Sequence, residues 1–137
     1  MITIELPWAA WYGDGRGHSV SLPDGWDIEI CSMQGGTDIG DDGIRQRLDA
    51  PIGADRLQQL AGKSDSAAIL VDDLSRPTPA FRLLPYLLEQ LHAGGIEQDQ
   101  ITIIGAVAAH RPMDRDDFIK KVGADLVDQY RVVNHNA

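Results

Sequence analysis

The sequence predicts an α/β fold in which a β-rich N-terminal part precedes a βαβαβ unit with a parallel sheet. Two observations predict it. Apolar and polar residues alternate over much of the first 35 residues, and apolar runs of strand length alternate with amphipathic helix patterns from residue 66 onward. Because strand–helix–strand crossovers are right-handed, two in succession imply parallel strands. We therefore expect a Rossmann-like three-layer arrangement.

The N-terminal part is predicted to contain three strands. Residues 3–6 and 18–22 alternate with the period of a half-buried strand, and a glycine-rich turn at residues 13–17 joins them. Residues 26–31 alternate in the same way and predict a third strand. The tryptophans of this part are expected to pack against the strands rather than to bind a ligand: Trp8, Trp11 and Trp26.

The rest of the chain is predicted to alternate helices and strands. Residues 44–60 predict two short helices, separated at residues 51–53. Strands are then predicted at residues 67–71, 101–107 and 130–133, and helices at residues 79–92 and 114–122.

Particular residues are expected to end or bend these helices. Pro85 lies inside the pattern of residues 79–92 and predicts a kink or a late start. Gly94-Gly95 is expected to stop that helix. Asp114 is the predicted N-cap of the next helix, and Gly123 is its predicted end.

The composition restricts the classes of function. A net charge of −9 argues against nucleic acids and anionic membranes as partners, because both attract clustered Lys and Arg. Cys31 is the only cysteine, which suits a reducing cytoplasm. No secretory signal is evident, and no apolar run approaches the roughly 20 residues that span a bilayer. We expect one cytoplasmic domain, residues 1–137, that is the first part of a larger architecture.

Polar side chains follow each strand of the predicted parallel sheet. The three clusters are Asp72, Asp73 and Arg76; His110 and Arg111; and Asn134 and His135. Because the carboxyl ends of parallel strands share one edge, where open α/β sheets bind ligands, we expect these clusters to converge. Arginine binds carboxylate or phosphate with two parallel hydrogen bonds, and histidine exchanges a proton near neutral pH. The pattern predicts a site for a small anion, with Thr78 beside a helix N-terminus that favours anions.

Each cluster also has a purely structural interpretation. Asp73 and Arg76 are spaced for a local salt bridge that holds a turn. His110 is placed to cap the next segment, and His135 to lie in a polar loop. Two histidines without further ligands at fixed spacing are weak evidence for a metal, so no metal ligand is assigned. The sequence contains no dinucleotide-binding, P-loop or nucleophile-elbow motif.

These residues resemble the N-terminal domain of the nickel-dependent lactate racemase family. The specific part is a D-x-x-R-P-x-P motif at residues 73–79 followed by H-R-P at residues 110–112. Further segments match in order and spacing over nearly the whole chain: residues 22–23, 42–53, 93–96, 101–104 and 133–135.

The resemblance implies part of a 2-hydroxy-acid racemase or epimerase that uses a nickel-pincer nucleotide for hydride transfer. In that family two histidines act on the substrate hydroxyl, and the first corresponds to His110. Asp73, Arg76 and Thr78 are the implied cofactor-binding residues, and Arg76 also the implied substrate-binding residue.

The sequence departs from the family pattern in two ways. The family's second catalytic histidine, cofactor-tethering lysine and nickel-ligating histidine correspond to positions beyond this chain, and His135 matches none of them. Residues 105–109 lack the family's glycine just before His110.

We therefore expect the chain alone to be inactive and to need a C-terminal domain or a partner chain. Two other interpretations of the sequence stay open. The chain could be a stand-alone module that binds a nucleotide or small acid, or a decayed fragment or partner subunit whose role is assembly. Assembly of the chain into a homo-oligomer is a further possibility that the sequence leaves open.

Overall fold

The structure, a computed structural model, describes residues 1–7, 12–13, 15–31 and 35–136. The chain divides into two compact units, Met1–Asp38 and Ile39–Ala137. Within the described residues, no helix combines the length and hydrophobicity that crossing a bilayer requires.

The first unit contains an antiparallel hairpin of β1 (Ile2–Pro7) and β2 (Gly17–Leu22). Ile2 pairs with Leu22, and the Oγ1 of Thr3 lies 3.3 Å from the Oγ of Ser21 on the facing strand. The two alternating segments at the N-terminus therefore form the predicted strands.

The predicted third strand is wrong: residues 26–31 take no strand conformation. Trp26 is 62% exposed, so the expectation that it packs in this part is also wrong. The physical reason is that alternation marks only which side chains would share a face. A strand also needs a neighbouring backbone to bond, and β1 and β2 pair only with each other among the described residues. Trp8 and Trp11 lie outside the described residues.

The second unit contains a parallel three-stranded sheet in the order β3-β4-β5. Its strands are β3 (Ala67–Asp72), β4 (Ile101–Ala106) and β5 (Arg131–Asn134). Its helices are α1 (Gly40–Asp49), α2 (Leu57–Ala61), α3 (Ala80–Ala93), α4 (Arg115–Val122) and α5 (Ala124–Gln129), with a 3₁₀ turn at Gln98–Gln100. The βαβαβ order is therefore confirmed, with α5 as an additional helix that the sequence pattern did not predict.

The sheet buries alternate side chains on one face. Val71, Ile101 and Ile103 are buried and pack in clusters with apolar residues of α3. On the opposite face Leu70 is 69% exposed, and Ile104 is only half-buried. The α/β class is confirmed, while the Rossmann-like three-layer arrangement stays a prediction.

Helix α3 covers the sheet with a stripe of small and branched side chains. The buried members are Ala80, Leu84, Leu88 and Leu91. The helix begins at Ala80 and continues through Pro85, so the predicted late start is wrong. Pro85 lies on the exposed side, where water can bind the carbonyl group that proline leaves without a donor. The kink stays a prediction.

The end of α3 is a Schellman motif, which confirms the predicted stop at Gly94-Gly95. Gly95 has a φ of +96°, and its backbone N–H donates to the His92 carbonyl at 2.9 Å. The N–H of Ile96 donates to the Leu91 carbonyl at 3.1 Å, and both of these side chains are buried in one cluster.

Helix α4 begins as predicted at the N-cap Asp114. The Asp114 carboxylate accepts a 2.9 Å hydrogen bond from the Asp117 N–H, and the Asp117 carboxylate accepts one of 3.2 Å from the Asp114 N–H. This reciprocal pair satisfies two donors that the helix start would otherwise leave unbonded. Gly123, with a φ of +97°, ends the helix as expected.

Candidate functional site

The loops after β3 and β4 lie at the same edge of the sheet. Asp72 pairs with Ala106 across the first strand pair, and Gly105 pairs with Asn134 across the second. Because the strands are parallel and in register, the polar residues that follow them emerge side by side. The predicted convergence of the first two clusters is observed directly in the contact between Asp73 and His110.

Asp73 is the buried centre of this edge, with 7% of its surface exposed. Its Oδ1 accepts hydrogen bonds from the Ser75 N–H at 3.0 Å and the Ser75 hydroxyl at 2.6 Å. The Arg76 N–H donates to the Asp73 carbonyl at 3.3 Å. An aspartate that bonds the backbone two residues later forms an Asx turn, so the local sequence closes this loop on itself.

The second oxygen of Asp73 meets the imidazole of His110: Asp73 Oδ2 contacts His110 Nδ1. The hydrogen bonds from Ser75, together with the contact to His110, outweigh burial and lower the pKa of Asp73 to about 2. Asp73 is therefore ionised at neutral pH and can only accept hydrogen bonds. It follows that Nδ1 of His110 carries a proton and that Nε2 is the nitrogen left for exchange with a ligand.

His110 stands on a tight turn with more than half of its side chain exposed. Its N–H donates to the Val107 carbonyl at 2.9 Å, and Ala108 within the turn has a φ of +48°. Positive φ suits glycine, because a Cβ atom in this region approaches the following carbonyl oxygen. The turn just before His110 therefore does contain a left-handed residue, although the sequence has alanine there.

Lys121 and Thr78 hold the carboxylate of Asp72, the last residue of β3. The ammonium of Lys121 lies 2.6 Å from Asp72 Oδ1, and the Thr78 hydroxyl donates to Asp72 Oδ2 at 2.6 Å. Burial acts to raise the pKa of Asp72, but the hydrogen bonds from Lys121 and Thr78 outweigh it and lower the pKa. Thr78 therefore lies close to the N-terminus of α3 as predicted, but its hydroxyl hydrogen is engaged by Asp72. Its role toward a cofactor stays a prediction.

Arg76 is exposed at the tip of the same loop. The structural alternative, a salt bridge between Asp73 and Arg76, does not form, because the Asp73 oxygens bind Ser75 and His110. Across the described residues, no hydrogen bond or ion pair of the Arg76 guanidinium is present. An exposed guanidinium with unused donors is suited to bind a carboxylate or phosphate.

Arg111 and Asn134 are engaged in holding the loop after β4. Arg111 Nη1 lies 2.6 Å from Asp117 Oδ2, and this pair, against the opposing effect of burial, lowers the pKa of Asp117. The side-chain amide of Asn134 accepts from the Met113 N–H at 3.0 Å and donates to the Met113 carbonyl at 2.8 Å. Both residues were predicted at the site, and the structure gives them contacts that fix the backbone after His110.

His135 continues the backbone hydrogen bonding between β5 and β4 rather than joining the loops after β3 and β4. Its N–H donates to the Gly105 carbonyl at 2.9 Å, and its side chain is exposed. The third polar cluster therefore contributes Asn134 to the loop, while the His135 imidazole lines no cavity with the other two clusters among the described residues.

A cavity of about 310 Å³ opens beside the Asp73–His110 pair. It is lined by Asp73, Leu74, Ser75, His110, Arg111, Met113 and Asp117. The described residues contain no group of three or more histidine, cysteine or acidic side chains placed to hold a metal ion. The cavity thus combines an ionised acid, an exposed imidazole and apolar walls on a scale that suits a small ligand.

Sequence reasoning missed three residues that shape this edge: Ser75, Asp117 and Lys121. Two signals were available. Ser75 stands two residues after Asp73, which is the spacing of an Asx turn. Lys121 stands three residues after Phe118 and directly before Val122, and it is buried with them and with Asp117 on one face of α4.

Comparison with known proteins gives one consistent result. The model of the family described as lactate racemase N-terminal domain matches residues 12–137. The lactate racemase of Lactiplantibacillus plantarum is 33% identical over 92 residues, which cover 67% of this chain and 22% of the relative. The lactate racemase of Thermoanaerobacterium thermosaccharolyticum is 31% identical over 141 residues, covering 100% of this chain and 32% of the relative.

The solved apoprotein structure of lactate racemase from T. thermosaccharolyticum also matches. Its TM-score is 0.67 at 29% sequence identity, and the match covers 98% of this chain and 30% of that one. The chain therefore spans about a fifth to a third of the length of the curated relatives it matches.

Proposed function

The chain belongs to the family of lactate racemase N-terminal domains, and we propose that it supplies the anion-binding and proton-exchanging residues of a 2-hydroxy-acid racemase or epimerase. The observation that carries this proposal is the contact of His110 with the ionised Asp73 beside a cavity. The chain spans 22% and 32% of the two lactate racemases it matches, so the activity is proposed for a complete enzyme and not for this chain alone.

His110 is proposed as the residue that exchanges a proton with the hydroxyl group of a 2-hydroxy acid. Asp73 holds the proton on Nδ1, so Nε2 has a lone pair with which to accept the hydroxyl proton and later return it. A buried carboxylate that orients a histidine in this way also stabilises the imidazolium that forms.

Arg76 is proposed to bind the carboxylate of the substrate or a phosphate of the cofactor. Its guanidinium is exposed and has no partner among the described residues, whereas Asp72 and Asp73 are already bonded. A guanidinium that binds an oxyanion through two parallel hydrogen bonds fixes the orientation of the ligand as well as its charge.

A nickel-pincer nucleotide is the cofactor proposed for the complete enzyme, where it would accept a hydride from the α-carbon and return it. The fit to this chain is partial. Arg76 suits an anionic group of the nucleotide, and Asp73 and Thr78 belong to the same loop. The described residues offer no metal centre, so we assign nickel ligation to no residue of this chain. We propose a cytoplasmic location on the basis of the single cysteine.

Calorimetric titration with nicotinic acid mononucleotide tests the role of Arg76. We expect Arg76→Ala to weaken binding by about tenfold or more, since a charged hydrogen bond is worth roughly 1.5–3 kcal/mol. Arg47→Ala is the matched control, because Arg47 is an exposed arginine on α1. Equal affinities of the Arg76→Ala and parent proteins would contradict the assignment.

Racemisation by the full-length enzyme distinguishes the enzyme from a binding module. We expect His110→Ala to retain binding of the mononucleotide and to lose racemisation. Near-normal turnover of that variant would exclude His110 as the proton carrier, and binding without any turnover by the parent enzyme would favour a binding module.

A further inference from the structure

Lys121 is the most completely buried charged residue described, with none of its surface exposed. It lies on α4 beside Phe118 and Val122, both of which pack in the core. A buried ammonium is costly unless charged and polar partners replace the lost water. The contacts that offset this cost therefore show what the lysine does.

Two of those contacts lie at the two ends of one short loop. Lys121 Nζ is 2.6 Å from Asp72 Oδ1 at the end of β3 and donates to the Arg76 carbonyl at 3.0 Å. The intervening residues are those of the Asx turn, in which Asp73 binds Ser75. One ammonium group thus contacts both ends of the segment that carries Asp73 and Arg76, and this pair of contacts is called the Lys121 clamp below.

The Lys121 clamp holds the loop itself rather than a ligand. Lys121 is fully buried, so it makes no direct contact with a molecule in the cavity. Its bond to the Arg76 carbonyl instead sets where the exposed Arg76 side chain leaves the loop. Its bond to Asp72 fixes the residue that directly precedes Asp73, the partner of His110.

We propose that Lys121 is a positioning residue that holds the Asp72–Arg76 loop so that Asp73 keeps its contact with His110 and Arg76 faces anionic ligands. This inference rests on the proposed function of His110 and Arg76. It adds a residue of α4 to those that arrange the candidate site at the end of β3.

The test separates positioning from stability. Lys121→Met alone leaves the half-buried Asp72 carboxylate without its ammonium, so the chain bearing that single change is expected to lose stability. The double variant Lys121→Met/Asp72→Asn removes both charges and keeps an acceptor for the Thr78 hydroxyl. Replacement of a buried ion pair by uncharged groups is often neutral, so we expect the double variant to fold.

The readout is the tautomer of His110, measured by ¹⁵N NMR of the imidazole, together with affinity for nicotinic acid mononucleotide. In the parent chain we expect the Nδ1–H form. In the folded double variant we expect a mixture of tautomers and about tenfold weaker binding, the scale that outer-shell substitutions produce. Lys120→Met, on the exposed neighbour, is the control and should change neither.

The outcomes are distinct. A folded double variant with the parent tautomer and parent affinity would overturn the inference, as would a double variant that fails to fold, because Lys121 would then serve stability. A parent chain that shows the Nδ1–H form but binds no nucleotide would count against the proposed function. The tautomer comparison would still decide the role of Lys121.

Discussion

The imidazole of His110 contacts the carboxylate of Asp73 although the two residues lie 37 positions apart in the sequence. The contact exists because β3 and β4 are adjacent parallel strands whose following loops meet at one edge. The contact fixes the tautomer of His110, and its removal is the most direct test of the proposed role of this histidine.

We expect Asp73→Asn to reduce racemisation by the full-length enzyme by a factor of about 10² to 10⁴, the range for loss of a positioned acid or base. The amide can donate to Nδ1 of His110, which would shift the proton to Nε2 and leave no base for the hydroxyl. Turnover measured with each enantiomer of the substrate checks this. Asp65→Asn, at an exposed position between α2 and β3, should leave turnover unchanged.

Stability at acidic pH should depend on Asp73. Its pKa is lowered in the folded state to about 2 from 3.8, so it binds fewer protons there than in the unfolded chain. Its contribution is therefore fully present above about pH 4 and is lost as the pH falls toward 2. Urea unfolding at several pH values in this window should give a flatter curve for Asp73→Asn than for the parent. Parallel curves would show that Asp73 is not the group responsible.

Ala108→Gly should stabilise the protein. The φ of +48° costs a residue with a Cβ atom about 1–2 kcal/mol of strain in the folded state, which glycine would relieve. Glycine would also raise the entropy of the unfolded chain, which lowers stability by about 0.4–1 kcal/mol. A net gain of about 0.5–1 kcal/mol is expected in chemical denaturation. Ala109→Gly, at the next position with negative φ, should instead lower stability. If both changes destabilise equally, the turn does not take this conformation.

Gly105→Ala should disturb the loop that carries His110. A Cβ atom at Gly105 would lie 2.5 Å from Met113 Cε and 3.0 Å from Phe118 Cε1, so both side chains would have to move. We expect a loss of about 1–3 kcal/mol in the free energy of unfolding, the usual cost of overpacking. Gly35→Ala, where an added Cβ would meet nothing within 4 Å, is the control. A neutral Gly105→Ala would show that Met113 adapts without strain.

Local patterns in the sequence were enough to predict most of the second unit. The leucine stripe of α3, its stop at Gly94-Gly95 and the Asp114 cap depend on contacts within a few residues, and each is confirmed. The strand proposed at residues 26–31 failed because its formation depends on a distant partner that alternation does not specify.

The sequence by itself determined the chemistry available at the sheet edge: an acid, a guanidinium and an imidazole directly after apolar strands. The tertiary structure decided how these groups are shared. It pairs Asp73 with His110 instead of Arg76, uses Arg111 and Asn134 to hold the loop, and buries Lys121 under Asp72. The reason is that composition and spacing identify possible partners, whereas strand register and helix packing decide which cation lies next to which carboxylate.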